Sequence, residues 1–417
     1  MKKKVAVIGS GISGIVSAHM LQHKYDVLLI EAKERLGGHT YTVPVNDPVL
    51  GPLNIDMGFI VFNLLTYPLF TQFLKGLGVD YQDSDMSFGF YDKEKNFYYN
   101  SDFPFGTFAQ KRQVISPRFW RFLYDISAFN KRVLRDLNQD NIGEQTVGQY
   151  LETLDSGILL KQAYILAMGA AIWSCPIKEV LGFPAKAFFL FWKNHQLLTL
   201  GTRPIWKTLV GGSQRYIDAF ERKFQGEIKI NDPVKRVKRN TKGVEIQGER
   251  GSKYQVDLAI IATHADQALK ILDQPTTREK QLLSVWNYST NTACLHSDPS
   301  VMPPRKVAWS SWEVQQIKND ADSLQMSYYM NRLQRINSDT PYFVTLNDPN
   351  NIRIEKIHHR VSFTHPIYSS DSLQSQTYLS ELNQGKLHFC GSYFGNGFHE
   401  DGVRSAVDAC LPLGGHL

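Results

Sequence analysis

Two clusters at opposite ends of the 417-residue sequence hold residues whose types and spacing can do chemistry. The first, Gly9-Ser10-Gly11-Ile12-Ser13-Gly14, is a G-x-G-x-x-G loop, and Glu31 stands about 20 residues beyond its first glycine. Such a loop brings backbone amides and a helix amino end to a pyrophosphate: Gly9 permits the tight turn, Gly11 lets phosphate approach the backbone, and Gly14 lets helix and strand pack closely. A carboxylate at Glu31 can grip a ribose hydroxyl and disfavours a 2′-phosphate. The second cluster, Gly391-Ser392 followed by Phe398-His399-Glu400-Asp401-Gly402-Val403, combines an imidazole, two carboxylates and the start of a helix. A helix amino end there favours negative charge developing beside it. His399 is the leading candidate for proton transfer; its alternatives are capping the helix or hydrogen-bonding a cofactor. Glu400 divides in the same way, between proton transfer and bonding to a cofactor or to the fold.

The elements that must position these groups are legible from pattern. Lys4 to Ile8 is an apolar run typical of a buried parallel strand, and the glycine loop opens a helix through Leu21. A second apolar strand, Asp26 to Ile30, ends at Glu31. Leu258 to Thr263 is a third buried strand, Phe389-Cys390-Gly391 a strand entering a turn, and Asp401 to Ala406 the first turns of a terminal helix.

Past the acid, Glu34-Arg35-Leu36-Gly37-Gly38-His39-Thr40 adds a cation and a second glycine pair, as a longer cofactor with an isoalloxazine end requires. Here the chain resembles the amine oxidase and phytoene desaturase superfamily of flavoproteins. Asp56-Met57-Gly58-Phe59 resembles the family's D-x-G segment beside the flavin, Val210-Gly211-Gly212-Ser213 its mid-chain glycine pair before a helix, here Tyr216 to Phe224, and Val234 the position whose backbone faces adenine. The resemblance spans nearly the whole chain. It implies an α/β fold with a Rossmann-like FAD-binding domain of the glutathione-reductase type, interleaved with a mixed α+β substrate domain. The cofactor domain would gather residues 1–63, 201–265 and 386–417; residues 64–200, which look helical, and 266–385, which alternate helix and strand patterns, would form the substrate domain. It further implies FAD, bound non-covalently by Gly9, Gly11, Ile12, Ser13, Gly14, Glu31, Ala32, Arg35, Gly37, Gly38, His39, Thr40, Gly58, Phe59, Val234, Gly391, Ser392, Glu400, Gly402 and Val403, the last two as amide donors.

Three departures matter. Ser392 replaces the acid that binds the ribityl chain in relatives, Asn291 or Thr292 falls where amine-oxidising relatives carry a lysine, and the G-G-C-Y segment that supplies a covalent flavin link is missing, although Phe398 fits one wall of the aromatic cage. A narrower resemblance rests on Met168 to Ser174, Asn194-His195 with Arg203-Pro204, Asn291 with His296 and Asp298, Met330 to Gln334, and Phe398 to Gly402. It is to bacterial flavoproteins encoded beside cyclopropane-fatty-acid synthases. That implies an acyl-chain substrate, with Trp173, His195, Tyr329 and Phe398 as pocket residues, and a lipid methyltransferase as partner or, for a non-catalytic accessory subunit, as host. Phe183, Phe188, Phe189, Leu190, Phe191 and Trp192 could line an alkyl tunnel or simply form core. Flavin amine oxidase is the alternative enzyme.

Composition sets the remaining bounds. The chain is 42% hydrophobic and 21% charged, ordinary for a globular protein. Its net charge of +6, without a long basic run, argues against nucleic-acid binding. The segment Phe103 to Leu137 mixes aromatics with seven Lys and Arg residues, either a solvated face or a surface lying on anionic lipid. Four widely spaced cysteines form no metal or disulfide pattern and no metal is expected. No apolar run reaches membrane-spanning length, so the sequence reads as a cytoplasmic enzyme, with contact at the inner membrane face left open.

Overall fold

The computed structural model describes residues 2–199, 204–317, 324–348 and 351–417; the boundary at residue 201 and Arg203 lie outside them. In chain order, two large sheets are built from β1 (Lys4–Ile8), β2 (Asp26–Ile30), β3 (Phe88–Asp92), β4 (Phe97–Asn100), β5 (Glu227–Lys229), β6 (Leu258–Ile261), β7 (Asn287–His296), β8 (Trp312–Gln316), β9 (Leu324–Tyr329), β10 (Phe343–Leu346), β11 (Ile357–Ile367) and β12 (Leu387–Phe389). The helices that matter for the site are α1 (Ile12–Leu21), α2 (Pro68–Leu77), α3 (Pro117–Asn138), α4 (Ala185–Asn194), α5 (Gln214–Lys223) and α6 (His399–Cys410).

The first sheet is wholly parallel, in the order β5-β2-β1-β6-β12. Its three central strands β2, β1 and β6 are nearly continuous apolar runs, as strands covered on both faces are, while the edge strand β5 is Glu-Ile-Lys. From β1 the chain steps to β2 on one side, while β6 pairs on the other, so a crevice opens at the carboxyl end of β1 where the strand order reverses. The turn Gly9 to Gly11 leads from that end straight into α1. α6 packs against α1, and a Cβ on Gly402 would come within 2.8 Å of Ile12 Cγ2. Glycine there lets the amino ends of both helices meet over the crevice.

The second sheet, β11-β7-β10-β9-β8-β3-β4, is antiparallel except where β8 runs beside β3. It therefore draws strands from both long segments between the cofactor-binding pieces. The expectation that residues 64–200 are helical fails at β3 and β4. Phe88-Gly89-Phe90-Tyr91 and Phe97-Tyr98-Tyr99 are aromatic runs that fit a pleated surface, joined by a turn in which Asn96 takes a positive φ of 44°. Elsewhere the helical expectation holds: α3 encloses Trp120 to Leu137, and the pattern from Ile158 to Ala171 falls in a wide π-helical stretch, Leu160–Leu166, continued by an α-helix, Ala167–Trp173.

Candidate active site

A continuous cavity of about 2120 Å³ runs from the turn after β1 to the aromatic residues of the second sheet and α4. That is about twice the upper end of ordinary ligand pockets, roughly 1,000 Å³, so it has room for a large cofactor and a second molecule together. At its polar end the backbone does the shaping. Gly11 has a φ of −63°, and a Cβ built on it meets no protein atom within 4 Å; its missing side chain leaves space that a phosphate can occupy at the start of α1. Gly14, by contrast, is needed for packing, since its Cβ would fall 1.8 Å from Gly9 O. Glu31 Oε2 accepts from the Ser10 amide at 2.9 Å and hydroxyl at 2.5 Å, and Oε1 accepts from the Lys33 amide at 2.9 Å. Its carboxylate is thereby fixed at the cavity wall with lone pairs left for a ribose hydroxyl. These features fit a dinucleotide such as FAD.

Gly9, Gly11, Ile12, Ser13, Glu31, Ala32, Gly37, Gly38, His39, Gly58, Phe59, Val234, Gly391, Ser392 and His399 all line this cavity. Five residues expected with them do other work beside Gly14. The Arg35 guanidinium donates to the carbonyls of Leu36, Gly38 and Thr40 at 3.1, 2.8 and 2.8 Å and lies 4.1 Å from the Tyr41 ring centroid, so it organises the glycine-pair loop rather than reaching phosphate. Thr40 is fully buried, its hydroxyl 2.5 Å from Tyr216 OH and 3.2 Å from His399 Nε2. Both Glu400 oxygens accept from the first-turn amides of α2, those of Leu69 and Phe70, at 3.1 and 3.0 Å; the carboxylate caps that helix. The Gly402 amide donates to Phe398 O at 3.1 Å inside α6, and Val403 is fully buried. Because α6 begins at His399, two residues earlier than its sequence pattern indicates, the unpaired amides are those of its first turn.

His399 lies face to face with Phe59, ring centroids 3.7 Å apart, its Nε2 facing Thr40 and Tyr216. Burial drives its pKa down to about 3, so the imidazole is neutral. The structure also assembles three histidines that no motif links. His39, His264 and His365 line the cavity, with ring centroids 5.8 Å (His39 to His264) and 5.2 Å (His39 to His365) apart. Burial lowers the first two to about 4 and the third to about 3. Their partners set the tautomers. Asn347 Nδ2 donates to Asn291 Oδ1 at 2.6 Å, which leaves Asn291 Nδ2 to donate to His365 Nδ1 at 2.9 Å; the His365 proton is therefore on Nε2. His39 Nε2 faces Thr364 O at 3.0 Å and must donate, leaving Nδ1 as an acceptor. Asn291, one of the two residues expected where the resemblance implies a lysine, thus supports a neutral imidazole. His264 follows the carboxyl end of β6 and stacks on Tyr288 at 4.4 Å; its place at the end of a parallel strand is the signal that could have found it.

The far end of the cavity is apolar and aromatic. Met168, Ile172, Trp173, Phe191, Leu197, Tyr328, Leu346 and Phe398 line it, together with His195. Phe191 stacks on His195 at 3.8 Å and on Phe398 at 4.9 Å. Tyr329 is not there: it packs against Trp309 and Phe343 on the opposite face of β9, because neighbouring strand residues point to opposite faces. Tyr328 takes the place expected for it. Of the proposed tunnel residues only Phe191 lines the cavity, while Phe188, Phe189 and Trp192 are fully buried core. Polar functions at this end are neutral. Ser174 and Tyr328 hydroxyls are 3.5 Å apart, and the indole N–H groups of Trp173 and Trp312 are buried without a partner among the described residues. The four acidic lining residues lie elsewhere or are engaged: Glu31 as above, Asp232 by Ser252 and Tyr254, and Asp85 by both arms of Arg332, with Glu249 beside Pro233 at the nucleotide end.

A family model described as flavin containing amine oxidoreductase matches residues 12–355. The chain is 26% identical over 294 residues to the L-amino acid dehydrogenase of Synechocystis; the match covers 64% of this chain and 57% of that protein, so the chain matches little more than half of that relative's length. Among solved structures, a variant putrescine oxidase superposes with a TM-score of 0.72 at 13% identity, covering 99% of both chains. A CLA-producing fatty acid isomerase from P. acnes superposes with a TM-score of 0.62 at 11% identity, covering 98% of both.

Proposed function

This chain belongs to the flavin-containing amine oxidoreductase family, a family of FAD-dependent oxidoreductases, and from that premise we propose that it acts on a hydrophobic substrate. The substrate class is an unsaturated or cyclopropane- or methyl-modified fatty acyl chain, and the reaction a desaturation, oxidation or isomerisation. The observation that carries this reading is the far end of the cavity, apolar, aromatic and free of any unengaged carboxylate that would hold an ammonium. The shared architecture of a protein described as a fatty acid isomerase is in keeping with it.

When bound, FAD supplies a two-electron acceptor for hydride from carbon. The chain's own residues do the rest. The amino ends of α1 and α6 stabilise the pyrophosphate and the electron-rich ring. Aromatic walls at Phe191, Phe398, Trp173 and Tyr328 exclude water and align the alkyl chain. His399, held neutral against Phe59, Thr40 and Tyr216, would help to hold the flavin where it lines the cavity, while His365 Nε2–H and His39 Nδ1 offer a donor and an acceptor for a proton displaced from the substrate.

A second reading, amine oxidation, is favoured by the names of the relatives. A third, an accessory subunit of a lipid methyltransferase, follows from the cyclopropane-synthase resemblance. Anaerobic mixing of the purified yellow protein with a panel of acyl lipids and amines separates them. The proposal expects the flavin to bleach, or the acyl product to appear by mass analysis, with lipids alone. Bleaching by amines only, or a flavin inert to every lipid in a protein that alters a methyltransferase's output, overturns it.

A further inference from the structure

The segment between β4 and the middle of α3 is apolar where it should be polar. Phe103 is 74% exposed, Phe105 78%, Ile115 83%, Trp120 50% and Tyr124 66%. They belong to one surface. Phe108 joins Phe103 at 6.1 Å and Trp120 at 5.2 Å between ring centroids, Trp120 Nε1 donates to Val114 O at 2.8 Å next to Ile115, and Tyr124 follows Trp120 by one turn of α3. Single exposed apolar residues need no explanation, but a contiguous patch of large ones marks an interaction site.

Charge and continuity say what covers it. From Phe103 to Tyr124 the sequence has Lys111, Arg112, Arg118 and Arg121 and no acidic residue. Lys111, Arg112 and Arg118 have no acidic partner among the described residues. The patch is also part of the cavity wall: Phe103 is both exposed and cavity-lining, and Leu123 and Ile126, on the flank of α3 beside Trp120, line the same cavity. We propose that this surface docks on an anionic lipid bilayer, its aromatic and aliphatic side chains entering the interface, its cations meeting the headgroups, and the cavity opening into the bilayer so that a lipid-soluble substrate enters without crossing water. No helix among the described residues is long and apolar enough to cross a membrane, so the contact is peripheral. The proposed function enters this inference only as the identity of what passes through the opening.

Co-sedimentation of the FAD-loaded protein with vesicles tests it separately from turnover. Vesicles of phosphatidylcholine with phosphatidylglycerol should bind the protein, phosphatidylcholine alone much more weakly, and added salt should weaken the former. Phe105→Glu with Ile115→Glu should lower partitioning at least tenfold, while the yellow spectrum and melting temperature stay as in the wild type because these side chains are 78% and 83% exposed. Lys111→Glu with Arg118→Glu should remove the preference for anionic vesicles. Val49→Glu, an equally exposed residue on another hairpin, should change nothing. The proposal is overturned if the wild type binds neither vesicle, if Val49→Glu is as damaging as the patch variants, or if the patch variant instead breaks a concentration-dependent dimer or the capture of a protein partner while vesicle binding persists.

Discussion

Gly11→Ala separates the space held for a cofactor from the space the fold needs. The backbone at Gly11 lies at φ −63°, ψ 177°, open to any residue, and the new methyl meets no protein atom within 4 Å. The ligand-free chain should therefore accept it, gaining about 0.4–1 kcal/mol because the unfolded chain loses freedom. With FAD present the methyl stands where the phosphates approach, and overpacking of that kind costs about 1–3 kcal/mol, or roughly 5- to 150-fold in dissociation constant. Gly14→Ala is the contrast: its Cβ would lie 1.8 Å from a backbone oxygen, Gly9 O, and 3.3 Å from Ala262 Cβ, so it should destabilise the empty chain by several kcal/mol. Stripping the flavin, melting each apoprotein by circular dichroism and titrating FAD back by fluorescence reads both quantities. If Gly11→Ala binds FAD as tightly as the wild type, or melts as early as Gly14→Ala, the assignment of the cavity's polar end to the pyrophosphate is wrong.

Two further outcomes follow from the same geometry. Glu400→Ala should cost about 1–3 kcal/mol in chemical denaturation, since it strands the Leu69 and Phe70 amides, yet leave FAD affinity unchanged; a collapse of affinity with unaltered stability would return Glu400 to the cofactor. His365 has its pKa lowered by burial to about 3, so between pH 6.5 and 5 the unfolded chain takes up a proton that the native chain refuses, and stability falls as pH falls. His365→Gln should therefore lose about 1–2 kcal/mol less than the wild type between pH 7 and pH 5; parallel losses in the two proteins would mean that the imidazole titrates normally.

What could be read in advance was the chemistry that backbone performs. The run Lys4–Ile8, the glycines at 9, 11 and 14 and the acid at 31 constrain one another through a strand, a turn and a helix, so local pattern alone fixes their joint geometry. Side-chain roles were legible only where few neighbours compete for them. Arg35 donates to three carbonyls of its own loop, and Glu400 accepts from two amides of α2, contacts that join residue 400 to residues 69 and 70 and leave no trace in spacing. Tyr329 missed the cavity by a single position, because a strand's alternation is certain but its phase depends on which sheet face meets the helix Ala167–Trp173.

The histidine trio carries the lesson furthest. Residues 39, 264 and 365 come from a loop after β2, the turn after β6 and the carboxyl-terminal part of β11, and meet because β11 pairs with β7 at the edge of the second sheet, beside the crevice of the first. A lone histidine is a poor predictor of function; three share one desolvated wall here, and the tautomers of two, dictated by Thr364 O for His39 and by Asn291 for His365, define where a proton can be given and where it can be taken. The amide that makes His365 a donor is Asn291, one of the two residues at which the sequence resemblance implies a lysine. The stretch of wall formed by these three rings is thus uncharged at neutral pH, which suits the hydrophobic substrate proposed above.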